Sequence, residues 1–205
     1  MEKFSLIVRK MKEFEEKWES VGVSLVPKEL EGIVEGKEIN KLQTWTNKKC
    51  SEVVFDSNKD NWSQNTSVFD DKVMNRSHLL FIVEDTSRNK FGGFITATID
   101  KYQTWISDAN AFVFSLKSNE RMNGMKKFGI RDQSHAFYLY PKSSDDNFAI
   151  GCWDIDIYKK ESTSHRCFIN GQRSFNYGDV TCGLCGPSQS TTNFTPKRIT
   201  VIQMN

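Results

Sequence analysis

Leu79-Leu80-Phe81-Ile82-Val83-Glu84, then Asp85-Thr86-Ser87-Arg88-Asn89-Lys90, then Phe91-Gly92-Gly93-Phe94-Ile95-Thr96-Ala97-Thr98-Ile99 is the stretch that decides the fold. Aromatic and branched residues crowd both flanks, while turn-forming polar residues fill the middle, so it predicts two strands joined by a hairpin connection. From about Ser51 onward the same grammar repeats: short apolar runs at Ala111–Leu116, Ala136–Tyr140, Phe148–Tyr158 and Arg198–Met204, separated by Gly, Asn, Asp and Ser. In the third of these runs Trp153, Ile155 and Ile157 alternate with Asp154, Asp156 and Tyr158, which predicts a half-buried strand with one polar face. Many short strands of this kind predict a mainly β (α+β) chain, a two-sheet antiparallel β-sandwich over residues 42–205. Flanking short helices complete it, one of them around Thr66–Met74 through Val68, Phe69 and Val73.

The first 41 residues follow a different period. Phe4, Ile7, Met11, Phe14, Trp18, Val21 and Leu25 recur in steps of three and four, with charged residues between, which predicts an amphipathic helical arm of coiled-coil type. A stripe of about three heptads is marginal alone. It is expected to pack on a second copy, giving self-association through residues 4–25, on the following helix, or on the domain itself. Leu30, Ile33, Val34, Ile39 and Leu42 suggest a weaker second helical piece, broken by Gly32 and Gly36.

Composition narrows the function. The chain has 205 residues, and its 28 Lys and Arg nearly cancel 26 Asp and Glu, leaving a formal net charge of +2. So even a balance lacks the basic field that holds a polyphosphate, and nucleic acid is not an expected partner. No apolar run reaches the roughly 18 residues of a membrane span, and charge interrupts the amino terminus before a secretory core forms, so cytoplasmic localisation without membrane insertion is expected. In that compartment the five cysteines are expected to be reduced thiols or ligands, not a disulfide framework.

Four groups of residues bear on chemistry. Cys182-Gly183-Leu184-Cys185 has the spacing of half a zinc site, which Cys167 and His165 would complete, or of a thiol-redox pair. The following Gly186-Pro187-Ser188 reads as loop, and the plain reading is a pair of reduced thiols without a function. Asp154 and Asp156, placed on one side of a strand downstream of Asp145-Asp146, would meet a cation or a basic partner unless they are a solvated polar face. Cys152, between Gly151 and Trp153, is expected to be a buried small thiol. Three histidines, no Gly-X-Ser-X-Gly elbow and no phosphate-binding glycine loop give hydrolase or nucleotide chemistry little to build on, so no enzyme and no cofactor is expected.

Contact residues fit better. Of Trp45, Trp62, Trp105 and Trp153 most are expected in the core, with Trp105, in a loop-like stretch, the candidate anchor of a protein interface. Arg121, Lys126, Lys127 and Arg131 form a second candidate surface, in a basic loop. Phe91-Gly92-Gly93-Phe94 places two residues lacking Cβ between aromatic anchors, as a bulge or a close backbone approach requires.

Order and spacing of these motifs carry a family resemblance. Val54-Phe55-Asp56-Ser57, Trp62-Ser63, Glu84-Asp85-Thr86 and Phe91-Gly92-Gly93-Phe94 are followed by Phe112-Val113-Phe114-Ser115-Leu116. Phe148-Ala149-Ile150-Gly151, Asp154-Ile155, Cys167 and Phe175 complete a series that resembles a TLDc domain over about residues 42–205. The resemblance implies a sandwich of two antiparallel sheets with flanking helices. It further implies a non-catalytic module concerned with protection against oxidation and with binding the vacuolar proton pump. The family's Glu-X-Trp closing strand is replaced here by Ile199-Thr200-Val201-Ile202-Gln203-Met204, which weakens the expectation of pump binding.

Overall fold

The structure is a computed structural model that describes residues 10, 26–163, 165–167, 174–180, 183–186 and 192–205. The predicted amphipathic stripe over residues 4–25 lies outside the described residues. The chain divides after Lys48 into two units.

In the first unit a single 3₁₀ turn, Lys28–Leu30, precedes helix α1 (Gly36–Thr46). Gly36 opens this helix instead of breaking it: the Glu35 N–H donates to Glu38 Oε2 at 2.8 Å, half of a reciprocal capping box. Asn47 closes the helix at φ 53, donating its N–H to the Gln43 carbonyl.

The second unit carries the sheets. Its strands are β1 (Cys50–Asp56), β2 (Leu79–Asp85), β3 (Lys90–Ile95), β4 (Trp105–Ile106), β5 (Phe112–Lys117) and β6 (Lys126–Gly129). They continue as β7 (Phe137–Leu139), β8 (Asp146–Ile150), β9 (Ile155–Tyr158), β10 (Arg166–Cys167), β11 (Thr192–Asn193) and β12 (Pro196–Met204), and helix α2 (Phe69–Val73) lies between β1 and β2. Sheet 1 has the order β1-β12-β2-β3-β5-β6 and sheet 2 the order β11-β10-β9-β8-β7-β4, with antiparallel pairing throughout. The mainly β, two-sheet antiparallel sandwich expected from the sequence is what the chain forms.

The β2–β3 hairpin falls where the sequence puts it, in register from Leu79↔Ile95 to Glu84↔Lys90. Its turn is held by Asp85, whose carboxylate accepts from the Asn89 N–H at 2.8 Å and from Asn89 Nδ2 at 2.6 Å. Inward-facing Leu79, Phe81 and Val83 join the core, and Leu80 and Ile82 on the opposite face are buried too. A strand covered on both faces reads as an unbroken apolar run, which is the Leu-Leu-Phe-Ile-Val signature. Across the core Phe81 meets Phe137 at 5.0 Å and Phe148 at 5.2 Å between ring centroids, while Phe69 of α2 stacks on Phe148 at 4.9 Å. Those rings fasten sheet 1, sheet 2 and the short helix together.

The glycines fit by space. A Cβ on Gly92 would stand 1.8 Å from the Phe81 carbonyl oxygen, and one on Gly93 would stand 3.0 Å from Ile150 Cδ1. Phe91 and Phe94 beside them are buried.

One expectation fails in an instructive place. Phe148–Tyr158 is not one strand: Gly151 at φ 68 and Trp153 at φ 66 turn the chain back, so β8 and β9 form a hairpin. A Cβ on Gly151 would stand 2.3 Å from Asp154 Oδ2 and 2.8 Å from Phe175 Cε2, so the turn tolerates only glycine there. Asp154 therefore lies in the turn and Asp156 in β9, on different elements, and both are buried, not solvated.

Candidate functional site

The inner faces of the two sheets are filled by core side chains, so the surface available for contact is the outward one. On sheet 2 the strand alternation sends Phe137, Leu139, Phe148, Ile150, Ile155 and Ile157 into the core. The intervening residues face away from it. One lateral row runs Trp105↔Tyr138↔Ala149↔Asp156↔Arg166↔Asn193, one residue from each of the six strands, or about 24 Å at the ordinary strand spacing. Tyr140 continues the outward side beyond β7, Tyr158 lies at the end of β9, and Trp153 projects from the β8–β9 turn at 45% exposure.

These rings touch in sequence. Trp105 packs edge-on against Tyr138 at 5.0 Å and His135 at 5.1 Å; Tyr138 meets Tyr140 at 4.6 Å; and Tyr140 shares a hydrogen bond with Trp153. At the other end the Arg166 guanidinium lies 5.3 Å from the Tyr158 ring centroid, donates to the Tyr158 hydroxyl, and pairs with Asp156 Oδ2 at 2.9 Å. The carboxyl of Asp156 is pushed up to about 6, first by burial and then by the neighbouring Asp146 charge, with Arg166 opposing. Burial likewise raises Asp146, and burial together with Asp156 lifts Tyr158 to about 12. Below this edge an open cleft of about 320 Å³ is lined by Tyr158, Lys159, Gln64, Ser162 and two carboxylates, Asp145 and Glu161.

Trp105, read as loop, is in fact in the short edge strand β4, half-exposed, and it shares the outward face with Asp156. Asp154 is not on that face: its carboxylate accepts from the Tyr177 hydroxyl at 2.9 Å and from the Ser174 N–H at 3.2 Å, all three buried. Of the four tryptophans expected mostly in the core, only Trp62 is buried; Trp45 and Trp105 are intermediate and Trp153 is exposed. Cys152 sits in the β8–β9 turn, intermediate in burial and a free thiol.

The basic cluster does not form one patch. Lys126 and Lys127 are consecutive in β6, not in a loop, and so project to opposite faces. Lys127 Nζ lies 4.1 Å from the Phe112 ring centroid, Arg121 Nη2 donates to the Leu184 carbonyl at 3.3 Å, and Arg131 is exposed.

The proposed thiol and metal set fares differently. Cys182 lies outside the described residues, as does the Cys167 side chain. Cys185 is disulfide-bonded, contrary to the expectation of reduced thiols, and in that form has no thiolate to give a metal. His165 is buried, its Nδ1 accepting from the Tyr158 N–H at 3.2 Å and its ring also bonded to the Ser162 backbone, so both ring nitrogens are engaged. Burial lowers it to about 4, and it stays neutral near pH 7. Among the described residues no three His, Cys, Asp or Glu side chains converge as metal ligands.

The sequence pattern gives no surface expectation for Tyr138, Tyr140 or Trp153, whereas Tyr158 falls on the outward side of its strand as expected. For the first two a finer signal exists: Tyr138 and Tyr140 alternate with Phe137 and Leu139, placing aromatics with polar tips on the wet side of a strand.

An antiparallel sandwich, with twelve strands among the described residues and aromatic residues crowding an outward face, belongs to the class of β-sandwich modules. More narrowly, the chain belongs to the TLDc domain family, whose model matches residues 28–201. No curated protein sequence matches it.

Proposed function

We propose that this chain is a non-catalytic TLDc interaction module that grips a protein partner with the outward face of sheet 2. The observation that carries this reading is the connected row Trp105, Tyr138, Tyr140 and Trp153, with Tyr158 and Arg166 at its far end. Tryptophan, tyrosine and arginine are the residue types that dominate interface hot spots, because they supply large contact area at low entropic cost with a polar tip for orientation. Membership in the TLDc family supports the finer reading of a cytoplasmic role in protection against oxidation or in regulating the vacuolar proton pump. Self-association through residues 4–25 would add avidity. Among the described residues no helix is long and apolar enough to cross a membrane.

Immobilised full-length chain, incubated with cytosol and then with washed vacuolar membrane extract, tests the reading. Retention of a defined partner that is lost in both Trp105→Ala and Trp153→Ala, and kept in Lys126→Glu, is the expected result. Retention unchanged in both tryptophan variants refutes the assignment of the face, and a retained set without proton-pump subunits removes the pump role.

A further inference from the structure

Asp156 is anomalous on an otherwise aromatic surface. It is 1% exposed on the outward side of β9, and Arg166 Nη2 donates to its Oδ2 at 2.9 Å. Its Oδ1 is equally buried and accepts no hydrogen bond. Opposite Tyr158 in the β8–β9 register stands a second carboxylate, Asp146, which feels the same guanidinium. Asp146 also feels buried Lys159, so along this edge four carboxylates, Asp145, Asp146, Asp156 and Glu161, meet Arg166 and Lys159, with Lys160 beside Glu161. The chain itself displays how this surface holds a guanidinium, since Arg166 lies over one ring, Tyr158, while donating to Asp156. Tyr140, which shares a hydrogen bond with Trp153, lies within the field of both Asp146 and Asp156, and Asp156 Oδ1 has no hydrogen-bond partner.

We propose that this end of the face takes an arginine side chain from a basic segment of the partner. The guanidinium donates to Asp156 Oδ1 and Asp146 and lies against Tyr140 and Trp153. Arginine suits the site better than lysine because its planar fork can donate to two carboxylates while stacking on a ring. The surrounding rings belong to the surface, so the incoming group reaches Oδ1 by side-chain rotation. This inference rests on the reading of sheet 2 as the interface and specifies the chemistry it recognises.

The test is a titration of the full chain with N-acetyl-arginine amide, followed by the indole N–H resonance of Trp153. A saturable shift in the low millimolar range is expected, with the lysine and citrulline amides weaker by about tenfold, as is the arginine amide on Asp146→Asn or Asp156→Asn. Asp146 is only part-buried, so its variant keeps the test decisive should Asp156→Asn fail to fold. Equal shifts with the citrulline or lysine amide, or unchanged affinity in Asp146→Asn, overturn the proposal. Loss of partner retention in the tryptophan variants without arginine binding overturns the arginine site alone, whereas retention unaffected by those variants overturns the interface itself.

Discussion

Gly92→Ala is predicted to be the most damaging single methyl that can be added to sheet 1. The new Cβ would stand 1.8 Å from the Phe81 carbonyl oxygen, a backbone atom on the facing strand, and 3.1 Å from the Phe114 ring. Relief requires β2 and β3 to part by roughly 1 Å, because a carbonyl in a ladder cannot swing away as a side-chain tip can. Opening the hairpin there sacrifices about two ladder hydrogen bonds at ~1 kcal/mol each. Shifting the buried residues around it adds about 1–3 kcal/mol of overpacking strain. A loss of about 3–5 kcal/mol is therefore expected, a large share of the ~5–15 kcal/mol that holds an ordinary domain together. Gly93→Ala is the internal control. Its Cβ would meet Ile150 Cδ1 at 3.0 Å and Cγ2 at 3.1 Å and the Phe112 carbonyl oxygen at 3.3 Å, contacts that a shift of a few tenths of an ångström relieves, so about 1–2 kcal/mol is expected, well below Gly92→Ala. Urea unfolding followed by tryptophan fluorescence measures both. A Gly92→Ala variant no less stable than Gly93→Ala would refute the close-approach argument.

Three further outcomes follow from buried polar groups. His165 is held near 4 against an ordinary 6.5, so the unfolded chain takes up its proton first; its contribution is present above 6.5 and is lost as pH falls to 4, about 3 kcal/mol by linkage. Stability curves between pH 7 and 4 should be flatter in His165→Phe, and an equal slope would contradict the buried neutral ring. Asp156 acts in the opposite direction: with its carboxyl raised to about 6, the folded state holds the proton more tightly, so ionisation destabilises progressively from about pH 4 to 6. Asp156→Asn should remove that component, and a variant with unaltered pH dependence would show the group is not perturbed. Asp154→Ala strips acceptors from the Tyr177 hydroxyl and the Ser174 N–H, leaving two buried donors unpaired, which at about 1–3 kcal/mol each predicts a fall in Tm of several degrees. A calorimetric Tm within a degree of wild type would refute it.

How much of this could be read in advance depends on whether the governing forces were local. The β2–β3 hairpin and helix α2 were legible because turn chemistry and apolar spacing sit within a few residues of each other. The order of motifs likewise carries the TLDc resemblance, because each motif is short and contiguous. The β8–β9 hairpin was hidden because its turn depends on Trp153 at φ 66, a conformation a bulky residue adopts only when tertiary packing imposes it. That one error set Asp154 beside Asp156 on a strand face, whereas only Asp156 is in β9 and points outward. Strand β6 was missed since Lys126-Lys127-Phe128-Gly129 holds one buried residue and no period, and the two-residue strands β4, β10 and β11 are too short to leave a pattern. The aromatic face needed the register of six strands to assemble, and pairing of that kind is set across long sequence separations.

Radical footprinting of the full chain with and without its captured partner tests the central claim most directly. The account predicts that Trp153, Tyr138 and Tyr140 become protected while Lys126 and Lys127 on β6 stay as reactive as in the free protein. Protection confined to β6, with the aromatic face unchanged, would contradict it.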